Sequence, residues 1–192
     1  MTIRAFIAID LPESIQQNIA KQTTRLRQII GEELIRWVPP GNTHLTLKFL
    51  GDVPISHLDF LKQSLTQTAN SSSAFDLQIG GLGSFPSSKL PRILWVGIHA
   101  PSSLHMLHQN IEITMGRLGY KKEERPFSPH LTLGRARQNI SPTDSVKIRD
   151  ALQAIQLGNI GTARVNSVHL IKSDLGSTGS EYTNLFSANF KQ

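Results

Sequence analysis

The sequence predicts an α+β fold of two pseudo-symmetric lobes, each an antiparallel sheet with helices on its outer face, enclosing a central cleft. Three observations carry that expectation. The segment His-Leu-Thr-Leu occurs twice, at His44–Leu47 and His130–Leu133. A strand-proline-helix phrase also occurs twice, at Ile7–Ser14 and Val96–Ser103, and the two separations differ by only a few residues of loop. No run rich in glycine, serine or proline is long enough to part independent domains. We therefore expect one bilobal domain over residues 1–192, duplicated internally into halves of about 1–90 and 91–192, with strands free to exchange between lobes.

Each element has its own signal. Ile7-Ala-Ile-Asp-Leu-Pro-Glu-Ser14 reads as a short apolar strand, then a proline and an acidic residue that open a helix. Leu11, Ile15, Ile19, Leu26 and Ile30 continue at helical spacing, and Leu104, Leu107, Ile111, Met115 and Leu118 do the same after the second phrase. The two His-Leu-Thr-Leu segments come next, as strands. Further helices are expected through Leu58, Leu61 and Leu65, and through Val146, Leu152 and Ile155. A final strand closes each half, around Phe75–Ile79 and around Ala163–Ile171. Ser71–Ser73 and Gly80–Gly83 read as short loops, and Gly176–Ser180 as a turn or loop near the C-terminus.

Composition excludes several kinds of chemistry. With 192 residues, 39% of them hydrophobic, the chain can bury a full core. It has no cysteine, so disulfides, thiolate nucleophiles and thiolate-held metals are out, and a reducing cytoplasm is the expected location. The apolar run at Phe6–Ile9 is too short for a signal peptide, and no stretch approaches a membrane span. A formal charge of +6 favours a polyanionic partner. There is no Walker loop, no His-x-x-x-His pair and no clustered carboxylate set, so neither metal nor cofactor is expected.

On a strand, side chains alternate between faces, so the leucines of each motif anchor in a core while the histidine and threonine share the other face. Paired across the cleft, His44, Thr46, His130 and Thr132 make a phosphate-sized polar site. Imidazole titrates near neutrality, so one histidine can take a proton from water while the other gives one to a departing ribose oxygen. The threonine hydroxyls would donate to the non-bridging oxygens, where charge builds. The identical motifs leave open which histidine does which.

Three longer phrases extend the pattern: Arg4–Pro12, Arg36–Gly51 and Pro126–Arg135, with a looser one from Ser173 through Tyr182 and Leu185. Together they resemble the 2H phosphoesterase superfamily, and within it the RNA 2′,3′-cyclic phosphodiesterases first described as 2′-5′ RNA ligases. The resemblance implies metal-independent hydrolysis of a terminal 2′,3′-cyclic phosphate on RNA to a 2′-phosphomonoester. It also implies His44 as general acid and His130 as general base, and reversible 2′-5′ joining of certain tRNA halves. A monomer is expected, because the duplication supplies both motifs in one chain. Two other readings stay open: a 2H phosphodiesterase of another cyclic or 2′-5′-linked nucleotide, and a noncatalytic module that holds RNA ends.

Candidate substrate contacts follow from position. Lys48 shares the face of His44 if the strand stays regular. Arg135 stands where family members carry an arginine, but strict alternation turns it away from the site unless a bulge at Gly134 turns it back. Phe49, its counterpart in the first motif, would stack on a base or fill the core. Trp37 is expected to be buried, and His57, His99, His105, His108 and His169 to be surface or structural.

Overall fold

The computed structural model describes residues 1–39, 41–176 and 179–191. In chain order the elements are β1 (Thr2–Asp10), α1 (Glu13–Ile30), β2 (Ile35–Trp37), β3 (His44–Pro54), α2 (Leu58–Asn70), β4 (Phe75–Ser87), β5 (Leu90–His99), α3 (Ser102–Arg117), β6 (His130–Ala136), α4 (Pro142–Ala154), β7 (Asn159–Val165), β8 (Ser167–Gly176) and β9 (Gly179–Asn189). Pro12 and Pro101 sit just ahead of α1 and α3 with extended ψ, where a missing N–H costs nothing. α1 buries Ile15, Ile19, Thr23, Leu26 and Ile30, which is the predicted stripe. α3 buries Leu104, Leu107, Ile111 and Met115 in the same way.

The strands form one curled sheet, a half-barrel, in the order β7-β4-β5-β6-β3-β1-β8-β9, with β2 also paired to β6. The two His-Leu-Thr-Leu strands are neighbours at its centre, antiparallel and joined at Leu45 and Leu131. One side of β3 carries β1, β8 and β9, backed by α2 and α3, and one side of β6 carries β5, β4 and β7, backed by α1 and α4. Leu45, Leu47, Leu131 and Leu133 all enter the main core beneath the helices. A smaller cluster of Phe6, Ala8 and Ile171 lies apart from it. The expected α+β architecture is present, with the helices on one face and the motif histidines on the other.

Several local expectations need correction. Ala163–Ile171 is two strands, because the chain turns at Asn166 and β7 pairs with β4 while β8 pairs with β1. Gly80–Gly83 is no loop but the middle of β4, where Gly81 at φ 75 accommodates a bulge opposite β5. In α4 the buried stripe runs Ser145, Ile148, Ala151 and Leu152, so Val146 falls on the solvent side. Of the expected turn at Gly176–Ser180, Ser177 and Thr178 lie outside the described residues; Gly176 pairs with Gly179 to close the β8–β9 hairpin.

Candidate active site

His44 and His130 are each half-buried at the start of a strand, and each ring is held by its own chain. His44 Nδ1 lies 3.0 Å from the carbonyl of Asn42, and His130 Nδ1 lies 2.7 Å from the carbonyl of Ser128. A carbonyl only accepts, so Nδ1 carries the proton in both rings and Nε2 is left for chemistry. The antiparallel register about Leu45 and Leu131 sets His44 across from Thr132, and Thr46 across from His130. The four predicted groups are thereby brought to one face, and each histidine stands opposite the other motif's threonine.

Aromatic rings wall both histidines. Phe6 of β1 stacks on His44 at 4.7 Å, and Tyr182 of β9 meets it edge-on at 5.1 Å. Phe85 of β4 meets His130 edge-on at 4.9 Å and leans on Trp95 of β5 at 5.3 Å. Burial lowers the pKa of His44, opposed by the Asn42 carbonyl and the charge of Asp10. Sequence reasoning passed over Phe6, Phe85 and Trp95, and matched Tyr182 only loosely. The signal was present for two of them: Phe6 and Trp95 each stand one residue before the repeated phrase, at Ile7 and Val96. The Trp95 ring lies over Gly83, where a Cβ would collide with it. Its indole N–H is buried without a partner among the described residues.

Strand alternation fails just past each motif. Ala8 pairs with Thr46 and Ile7 with Lys48, so Leu47 is an extra residue in β3. Trp95 pairs with Thr132 and Leu94 with Gly134, so Leu133 is the extra residue in β6. These bulges reverse the faces of the residues next along, Lys48 and Phe49 in β3 and Gly134 and Arg135 in β6. Lys48, expected beside His44, is instead buried on the helix side, where its Nζ donates to Glu112 at 2.8 Å and to the Lys121 carbonyl at 2.9 Å. Phe49 turns to the cleft side, 66% exposed, its ring 6.0 Å from Phe6. Arg135 turns to the cleft side as well, exposed beyond Thr132.

Trp37 is half-buried on the helix side, with the Arg27 guanidinium 5.7 Å from its ring. His169 pairs with Ala8 and so shares the face of Phe6 and His44. It is held by Ser167, Asn184 and Ser187 and stands 3.9 Å from Asp10, a polar network beyond the motif strands. Among the described residues no group of three or more His, Cys, Asp or Glu could hold a metal ion, and no helix is long and apolar enough to cross a membrane. What the arrangement offers is two imidazole Nε2 atoms and two hydroxyls around one small space, walled by aromatic rings at both histidines, with the Arg135 guanidinium beyond Thr132.

A family model described as the 2′-5′ RNA ligase superfamily matches residues 15–177. The chain is 30% identical over 185 residues to an RNA 2′,3′-cyclic phosphodiesterase of Methanothermobacter thermautotrophicus, a match covering 96% of this chain and 97% of that one. It is 29% identical over 184 residues to an RNA 2′,3′-cyclic phosphodiesterase of Aquifex aeolicus, covering 94% of each. Among solved structures it is similar to E. coli LigT complexed with 3′-AMP, with a TM-score of 0.80 and 26% identity over the whole of both chains.

Proposed function

The chain belongs to the 2′-5′ RNA ligase superfamily, and on that premise we propose that it opens the terminal 2′,3′-cyclic phosphate of an RNA to a 2′-phosphomonoester. It is an RNA 2′,3′-cyclic phosphodiesterase, as its near full-length relatives are named. The observation that carries the mechanism is the paired His-x-Thr strands, in which both rings are pinned at Nδ1 and both Nε2 atoms are left free of that bond.

In the proposed step, His130 Nε2 takes a proton from water as the water oxygen attacks phosphorus. The bond from phosphorus to O3′ breaks, and protonated His44 delivers its Nε2 proton to O3′. Thr46 and Thr132 donate to the non-bridging oxygens while their charge grows. The lowered pKa of His44 favours its neutral form in the free protein. An anionic phosphate beside the ring restores the charged form, so acid competence comes with the substrate. Arg135 adds positive charge on the cleft face, and Phe49 offers a ring on which a base can stack. A ribose hydroxyl in place of water gives a 2′-5′ phosphodiester, the joining reaction after which the superfamily is named. Because one chain supplies both motifs, the working unit is a monomer, and tRNA fragments with cyclic ends are suitable substrates.

The test is product analysis. An oligoribonucleotide ending in a 2′,3′-cyclic phosphate is incubated with the protein in the presence of a chelator. The expected product carries a 2′-phosphate; a 3′-phosphate, or no turnover, contradicts the proposal.

A further inference from the structure

We propose that Arg36, together with Arg135, binds the phosphodiester next to the reacting end, so that the protein grips a chain rather than a terminal nucleotide alone. The inference rests on the RNA-end reading above and adds a residue and a direction to it.

Arg36 is the middle residue of β2, and its direct cross-strand partner in β6 is Arg135. Its neighbours fix its face. Ile35 is buried in the core and Trp37 packs on the helix side, so Arg36 points the other way. Gly134 faces Ile35 and Trp37: a Cβ there would lie 3.2 Å from the Trp37 ring and closer still to Ile35. Arg135, its neighbour in β6, therefore shares the face of Arg36, and both side chains are exposed.

Two guanidinium groups directly opposite on a sheet repel each other. Neither has a carboxylate partner within ion-pair distance among the described residues. Such a pair is stabilised when an anion lies between them, and a phosphodiester matches the fork of each guanidinium. Position supports the assignment. Along β6 the cleft-facing residues run His130, Thr132 and, past the bulge, Arg135. The Arg36–Arg135 pair is thus the next cleft-facing row beyond His44 and Thr132, about 7 Å further on by strand geometry, a separation on the scale of one nucleotide of backbone. At the corresponding place past Thr46 stands Phe49, an uncharged ring. A pair of opposed guanidinium groups on one side of the reacting centre and the Phe49 ring on the other give the bound chain a direction.

The test is a binding measurement, independent of turnover. Fluorescence anisotropy follows a labelled tetraribonucleotide ending in a 3′-phosphate, with adenosine 3′-monophosphate as a competing mononucleotide. Arg36→Gln is expected to weaken tetranucleotide binding roughly tenfold and to reduce the slope of log Kd against log salt by about 0.7, with mononucleotide affinity unchanged. Arg36→Lys should keep the salt slope while losing part of the affinity. Arg149→Gln, on the outer helix α4, removes the same charge elsewhere and should change neither. The proposal is overturned if Arg36→Gln leaves tetranucleotide binding intact, if it weakens both ligands equally, or if the wild type does not prefer the tetranucleotide. A wild type that binds as expected but turns over no cyclic phosphate overturns the catalytic reading and leaves this one standing.

Discussion

At the scale of single residues, the two histidines differ in surroundings although their motifs are identical. His44 lies between Phe6 and Tyr182, and burial lowers its pKa. As the proposed acid it must be protonated to act. The alkaline limb of kcat/KM, which reports the free protein, should therefore fall below the usual histidine range, and the alkaline limb of kcat should sit higher, because the bound phosphate favours the charged ring. Parallel profiles would contradict that role. Removing either ring, as His44→Ala or His130→Ala, should lower kcat by about 100-fold to 10,000-fold, while circular dichroism shows an unchanged fold. His44, His108 and His169 are all lowered from 6.5 by burial. The unfolded chain thus binds more protons than the folded one between each folded pKa and about 6.5. Their contribution to stability is complete above that range and is lost as pH falls through the folded values. Urea unfolding between pH 7 and 5 should show stability declining, and less steeply for a His108→Gln, His169→Gln double variant.

At the scale of elements, the reading of the sequence was as good as the regularity of the strands. Alternation placed His44, Thr46, His130 and Thr132 on one face because the chain is regular from His44 to Thr46 and from His130 to Thr132. It failed at Lys48 because Leu47 is an inserted residue, and nothing in His-Leu-Thr-Leu-Lys-Phe marks the insertion. Gly134 did mark the equivalent bulge in β6, and so Arg135 could be argued back to the cleft. Similarly, the alternating apolar pattern from Ala163 to Ile171 conceals the break at Asn166, since both flanking strands supply residues to the core. The rings around the histidines come from strands remote in sequence, and only Phe6 and Trp95 left a trace in the repeat. The misplaced Lys48 has its own consequence. Its ammonium and the Glu112 carboxylate form a buried pair, and Glu112 also accepts from the backbone N–H of Glu123, in the segment that leads to β6. Lys48→Met should cost about 3–5 kcal/mol by stranding the carboxylate. Lys48→Met with Glu112→Leu should recover much of that loss, as read from denaturant midpoints.

At the scale of the whole molecule, the repeated phrases announced the α+β class and the cleft but not the continuity of the sheet. Periodicity reports what a segment buries, not which neighbour it pairs with. So it did not reveal that β4 would lie against β5 and β7, or that α1 would pack with α4. The meeting of β3 and β6 at Leu45 and Leu131 is the joint that sets each histidine against the other motif's threonine. Both leucines are almost fully buried. Leu131→Ala should cost about 2–5 kcal/mol and should also lower kcat at temperatures where the variant remains folded, because the spacing of the two motifs depends on that contact. A variant that lost stability while keeping full kcat would separate the joint from catalysis. The most direct test of the account is the product formed by wild-type protein from an RNA ending in a 2′,3′-cyclic phosphate, compared with His44→Ala and His130→Ala. The wild type should form a 2′-phosphate, and both variants should lose nearly all turnover. A 3′-phosphate product, or full activity without either histidine, would contradict the account.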